Sequence, residues 1–275
     1  MEVLDATRVL RADHRGNSWP VIVTTDAGMR FTKLRGAAQG TGALVAEVIV
    51  AELAEALGLR VPARSLVRLP AGVDSLDGND ELAQLLRASV GINLGFAHLE
   101  NERMIGPADI GTIDVEQAAA IIWLDGLVLN PDRTAANPNL LWSGAELYLI
   151  DHGASLGFQY AWADVDEEAP RRPLAAREPH LLRPRVPDLA PFDEGLAARL
   201  TRDVLERAVN EVPDEFLLPL IAEHRPRNVP DALRRRRAAY AAFLWKRLKA
   251  PRPFLEPVLA ASPRRGRPAW LSRQS

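Results

Sequence analysis

The chain has no cysteine, which excludes disulfide bonds, thiol catalysis and thiolate metal sites together. Histidine is sparse as well. Five are scattered over 275 residues, so a histidine-built zinc cluster has little support. Long apolar runs are missing: AAAIIWLDGLVL is interrupted by Asp125 and falls short of the roughly 20 residues that cross a bilayer. The first residues, MEVLDATRVLRADHRG, place acids where a secretory leader has its apolar stretch, so a soluble, cytoplasmic protein is expected, with no membrane partner. A basic excess is absent too. The formal net charge of −2 argues against a protein that coats nucleic acid, and no direct nucleic-acid partner is expected.

Lysine is the last scarcity. Of 34 basic residues only Lys33, Lys246 and Lys249 are lysines. Where arginine is the default cation, a lysine in an apolar setting supplies a compact ammonium that arginine cannot.

What is present is apolar content, 47% of the residues, enough for a substantial core. WPVIVTTDAGMRFTKLRG reads as a hairpin, Trp19 to Thr25 and Met29 to Leu34 around Asp26-Ala27-Gly28, because β-branched runs flank turn residues. Period-two alternation puts Met29, Phe31 and Lys33 on one face. Lys33 then either ends a buried stripe or snorkels outward at the strand end. A glycine-rich GAAQGTG leads into the helix ALVAEVIVAELAEALG, stopped at Gly58. LRVPARSLVRLP reads as a turn into a strand, Leu82 to Arg87 as a short helix, and SVGINLGFAHLE as a further strand. The first hundred residues therefore predict a small, mainly antiparallel sheet with one principal helix.

The pattern then changes. Val115 to Leu129 is apolar on most sides and predicts a buried helix. Asp164 to Pro191 is rich in proline and charge and reads as a long surface segment. Three amphipathic helices follow at about 193–211, 214–224 and 231–249, with the RRRR run at 234–237 in the last as a solvated or packing face. The division expected is 1–100, 101–262 and a flexible tail at 263–275.

Between the buried helix and these segments lies LNPDRTAANPNLLWSGAELYLIDHG, residues 129–153. Read as a hairpin centred on Gly144, it sets Asn137 and Asp151 seven residues either side, cross-strand neighbours with α-carbons roughly 5 Å apart. A carboxylate beside an amide oxygen suits a hard divalent cation such as magnesium, the remaining ligands coming from water and phosphate. Asp132, five residues before Asn137, is placed to accept a proton from an attacking hydroxyl. Together with a distant lysine this is the arrangement phosphoryl transfer needs. The alternative reading is local: Asx-turns at each Asn or Asp, and Asp151 as a cap.

LDGLVLNPDRTAANPNLLW with LYLIDHGASL, supported by RFTKLRG, ALVAEVIVAELAEALGLRVP and HRGNSWPVIV, resembles the compact HipA-like kinases over about residues 8–160. The resemblance implies an α+β, bilobal protein-kinase-like fold related to phosphatidylinositol 3/4-kinases, with a β-rich N-lobe and a mainly helical C-lobe. It implies an ATP- and Mg2+-dependent transfer to a hydroxyl, as a serine/threonine protein kinase or, alternatively, a small-molecule or lipid kinase or a non-catalytic nucleotide-binding module. By the same resemblance Asp132 is the catalytic aspartate and Asn137 and Asp151 are the metal ligands. Lys33 binds ATP phosphates, and Gly16, Asn17 and Ser18 tip the phosphate-covering loop. Arg133 steadies the loop or the phosphates, or serves as a structural ion-pair partner.

Glu47 takes the place of the helix glutamate that orients the lysine. On a helical wheel it lies opposite the Leu44, Val45, Val48, Ile49 stripe, while Glu52 lies within it, so Glu47 meets Lys33 only if the helix packs by its alanine side. Two features depart from the family pattern. The extra N-terminal subdomain of full-length HipA toxins is missing, so a toxin–antitoxin role with a DNA-binding partner is not expected. Arg follows the catalytic Asp at a variable position, which leaves the acceptor, protein or small molecule, unassigned by motif.

Overall fold

The computed structural model describes residues 1–12, 19–37, 39–222, 226–256 and 258–259. Gly16, Asn17, Ser18 and the tail at 263–275 lie outside these residues. The N-terminal region is β-rich and the C-terminal region helical, a mixed α+β arrangement.

Strands β1 (Val3–Ala12), β2 (Val21–Thr25), β3 (Gly28–Lys33), β4 (Arg64–Leu69), β5 (Asp74–Ser75) and β6 (Gly91–Ala97) form one sheet in the order β2-β3-β6-β4-β1-β5. Because β1 also pairs with β2, the five longer strands close on themselves. The sheet is mainly antiparallel, as expected, and only β1 departs from this by running parallel to β4 and β5. Register shifts between Ala6 and Arg8 and between Val9 and Arg11 break the alternation of β1. Its inward residues are therefore Leu4, Ala6, Val9 and Ala12 rather than a strict every-second set. The β2–β3 hairpin turns through Asp26-Ala27, with Thr25 opposite Gly28. Val9, Val21, Val23, Val67 and Leu69 fill the interior, closed by Leu82 and Leu86 of α2 (Asp80–Ala88). Gly95 cannot carry a side chain: a β-carbon there would stand 2.5 Å from Val67 Cγ2.

Helix α1 (Gly40–Ala56) packs against the C-terminal helices, shares a core with Leu94 and Phe96 of β6, and is buried on nearly every side. Helix α3 (Val115–Val128), N-capped by Asp114, is likewise apolar all round and lies in the main core with α1. Strands β7 (Glu102–Met104), β8 (Leu140–Ser143) and β9 (Glu146–Leu149) form a second, antiparallel sheet.

Four helices stand where three were expected: α4 (Ala190–Arg199), α5 (Arg202–Asn210), α6 (Asp214–Ala222) and α7 (Val229–Leu248). The expected 193–211 helix breaks at Leu200, and Thr201 starts α5 by accepting a hydrogen bond from the Val204 N–H. The arginine run divides as helix periodicity requires. Arg234 and Arg235 are exposed and pair with Asp231, whereas Arg236 is buried over the Trp162 ring.

The Asp164 to Pro191 stretch lies at the surface, as expected, with most of its residues exposed, but it is pinned at intervals. Pro170, Ala176, Leu181, Leu182, Val186 and Leu189 are buried, and the last four, too widely spaced to show periodicity, join the core that contains α3.

The end of α3 is fixed from α7. Arg247 is fully buried and donates to the Gly126 and Leu127 carbonyls of the last helical turn and to the carbonyls of Pro170 and Arg172. These are carbonyls that a helix end or a loop cannot satisfy internally. Arg247→Met keeps much of the side-chain volume and orphans four acceptors, three of them buried, so we expect a loss of about 3 kcal/mol and a fall in thermal midpoint of roughly 6–12 °C. An unchanged melting curve would show that Arg247 does not hold this helix end.

Candidate active site

Lys33 is the last residue of β3, paired with Leu94 of β6. The stripe on which it lies becomes progressively buried: Met29 is exposed, Phe31 half-buried and Lys33 only 7% exposed. Lys33 does not snorkel. Its ammonium is held by Glu47 Oε1 of α1 and by Asp151 Oδ1 at 2.6 Å. Burial alone would lower the lysine's pKa, but the two carboxylates outweigh it and raise it, so Lys33 is charged.

Glu47 is fully buried. The helical wheel misplaced it because α1 has no solvent face against which to define a stripe. Its alanine side is the one turned to the site. Gly153 makes this possible, since a β-carbon there would lie 3.3 Å from Ala43 Cβ and 3.4 Å from Glu47 Oε1. Glu52 instead pairs with Arg64.

Asp151 follows β9 in a left-handed conformation, φ 56°, and Asn139, just before β8, takes φ 50°. Non-glycine residues adopt this region at a cost, and they concentrate where a site requires it. Burial would raise the Asp151 carboxyl, but Lys33 prevails and holds it below its ordinary range. The half-exposed Asp151 gives Oδ1 to Lys33, and its Oδ2 accepts no hydrogen bond from the described residues.

The hairpin register corrects the expected pairing. Leu140 faces Leu149 and Ser143 faces Glu146, so the turn is Gly144-Ala145 rather than a turn centred on Gly144. The Ile150 N–H still bonds to the Asn139 carbonyl, and Asp151 therefore falls opposite Pro138 rather than Asn137. Asn137 turns instead to Asp132, donating through Nδ2 to Asp132 Oδ2 at 2.8 Å. Its amide oxygen has no hydrogen-bond partner among the described residues. Burial, and then the negative charge of nearby Asp151, raise the Asp132 pKa. Asp132, Asn137 and Asp151 thus gather at the open end of the hairpin by a route other than a cross-strand pair.

Arg133 is corrected as a phosphate contact. It is 1% exposed, and its guanidinium donates to Asp125 Oδ2 at 2.6 Å and to the Asn139 carbonyl. The loop-steadying and ion-pair readings both describe it. Asp125, on α3, also accepts from Asn130 Nδ2 at 2.8 Å and bonds His180 Nε2 at 2.9 Å, while Asn130 Oδ1 accepts the Asp132 N–H at 3.0 Å. Despite full burial, Arg133 and His180 hold Asp125 ionised, far below the ordinary carboxylate range.

Asp125, Asn130 and His180 are residues that reasoning from sequence missed as parts of the site. The charge interrupting an apolar helix at Asp125 was a signal. Nothing local marks His180.

The site offers two kinds of oxygen donor to a divalent cation, the free carboxylate oxygen of Asp151 and the free amide oxygen of Asn137. They fit an ion that takes its other ligands from water and phosphate. Among the described residues no group of three or more histidine, aspartate or glutamate side chains could hold a metal alone.

A sequence model described as HipA-like kinase matches residues 6–167. The chain belongs to the HipA-like kinase family. The match takes in Lys33, Glu47, Asp132, Asn137 and Asp151 and ends before His180. A crystal structure of the Helicobacter pylori proinflammatory kinase CtkA is similar in fold, with a TM-score of 0.50 and 13% identity over 83% of this chain and 96% of that one. No curated protein matches. No helix among the described residues is long and apolar enough to cross a membrane.

His152, between Asp151 and Gly153, is buried with neither ring nitrogen bonded to a described residue. Burial, reinforced by the charge of Arg133, pushes its pKa down from 6.5 to about 3. Between those values the unfolded chain holds a proton that the folded one lacks. The stability this residue contributes is therefore full above about pH 6.5 and drains away as pH falls. His152→Phe should flatten the rise of metal-free unfolding free energy between about pH 4 and 6.5 by roughly 1 kcal/mol per pH unit. Parallel curves in urea titrations of the two proteins would sink this account.

Proposed function

We propose that the chain is an ATP- and Mg2+-dependent phosphotransferase that moves the γ-phosphoryl group to a hydroxyl, as a serine/threonine protein kinase. ATP would lie between an N-terminal lobe ending near residue 100 and a helical lobe spanning about 101–262. The observation that supports this best is the meeting of Lys33, Glu47 and Asp151 beside the Asp132–Asn137 pair.

In this reading Lys33, oriented by Glu47, neutralises phosphate charge. Asn137 and Asp151 hold the cation, which supplies charge neutralisation across the phosphates. Asp132 orients the acceptor hydroxyl and takes its proton as the new O–P bond forms and the bond to the departing diphosphate breaks. The Asn137 amide fixes Asp132 Oδ2 and leaves the carboxylate's other oxygen for that proton. The contribution of the protein is positioning and charge, which is most of what phosphoryl transfer requires.

Phosphate transfer from Mg-ATP should fall by roughly 10²-fold or more in Asp132→Asn, and at least as far in Asp151→Ala. Equal activity in wild type and both variants would end the assignment. Offering a protein lysate and hydroxyl-bearing metabolites side by side reads the acceptor class: label on small molecules alone would move it to a metabolite or lipid kinase.

The pH profile gives a separate check. Asp132 acts as a base only when ionised, and burial and Asp151 raise its pKa. The acid limb of kcat/KM should therefore lie above the ordinary aspartate value of about 4, with the rate falling as pH drops through it. A profile flat down to that value would remove Asp132 from the proton transfer.

A further inference from the structure

His180 comes from a segment beyond the residues the family pattern covers, yet it is joined to the catalytic loop at two points. Its Nδ1 accepts the Leu182 N–H at 3.1 Å. The imidazole proton therefore resides on Nε2, which donates to Asp125 Oδ2 at 2.9 Å. One residue on, the Leu181 N–H donates to the Arg133 carbonyl at 3.0 Å. The segment thus grips both the carboxylate below the loop and the backbone of the residue that follows Asp132.

From His180 the path to Asp132 is short and continuous. Asp125 Oδ2 takes the imidazole and Arg133 Nε, Asp125 Oδ1 takes the Asn130 amide, and Asn130 Oδ1 takes the Asp132 N–H. Without the imidazole, one buried lone pair of Asp125 loses its donor and the wall sealing it from water opens. A loosened Asp125 loosens Asn130, and with it the backbone of Asp132. None of these groups touches Lys33 or Glu47.

We propose that His180 is a positioning residue for phosphoryl transfer, holding Asp132 in register through Asp125 and Asn130. The proposal rests on the kinase reading given above. It assigns to the proline-rich stretch after the hairpin a part in the active site.

The histidine's two nitrogens can be tested apart. Asparagine reproduces the Nδ1 acceptor for Leu182 but is too short to reach Asp125, whereas glutamine carries an N–H out to the Nε2 position and gives up the Leu182 bond. Steady-state phosphate transfer from Mg-ATP by wild type, His180→Asn and His180→Gln is paired with hydrogen exchange at the amides of residues 129–139. A misplaced catalytic group costs roughly ten- to a hundredfold in rate. His180→Asn should lose that much kcat, with KM for ATP within about twofold and faster exchange at Asp132 and Arg133. His180→Gln should recover most of both.

Wild-type kcat and unchanged exchange in His180→Asn would overturn the proposal. So would loss of activity in His180→Gln with His180→Asn intact, which would mark the local turn at Leu182 as the function of the residue. Absence of transfer by the wild type would instead fault the kinase reading, and the exchange data would still report whether His180 orders the loop.

Discussion

The Lys33 ammonium is shared by Glu47 from α1 and Asp151 from the hairpin end, so strand, helix and hairpin meet on one positive charge. Removing these groups from water is costly, and the mutual attraction of such a buried set seldom adds much net stability. Its effect is on geometry: the elements must arrive together or leave charges unpaired. Two carboxylates hold the one ammonium, and Asp132 stands close enough to Asp151 for their charges to interact. That surplus of negative charge is what a divalent cation relieves. The group is therefore balanced only incompletely by the chain's own residues, with Glu47 Oε2 buried and without a hydrogen-bond partner among the described residues.

The Asp125 network beneath the loop is of the opposite kind. Both carboxylate oxygens are engaged, by Asn130, Arg133 and His180, and a fully satisfied buried polar network is rigid. The two networks lie either side of the 130–139 loop. One side has spare oxygen atoms that can exchange partners, and the other has none. A loop carrying the carboxylate proposed as base would benefit from both, a fixed anchor and an adaptable face.

Local chemistry was legible in the sequence and convergence less so. The β2–β3 hairpin, α1, α3 and the glycine stop at residue 58 follow from patterning and turn residues, and the structure places them nearly as read. Strand β1 was obscured by its two irregularities, and the 193–211 helix by a hydroxyl that starts a second helix inside it. The grouping of Asp132, Asn137 and Asp151 was anticipated through a symmetric hairpin. A two-residue turn displaces that symmetry by one position, and an Asn–Asp hydrogen bond does the gathering instead. Arg133, Asp125 and His180 show the limit most clearly. Their roles depend on which side of a buried carboxylate each approaches, and no spacing along the chain encodes a contact between residues 125 and 180.

Closure of the N-terminal sheet has a consequence for recognition. Each of its five longer strands has a neighbour on both sides, and only the two-residue β5 ends a row. A visiting peptide finds no long rank of free backbone N–H and C=O groups there on which to lay itself as an added strand. Recognition at this sheet must then be written in side chains and loops, which can change from one relative to the next while the closed sheet beneath them keeps its shape.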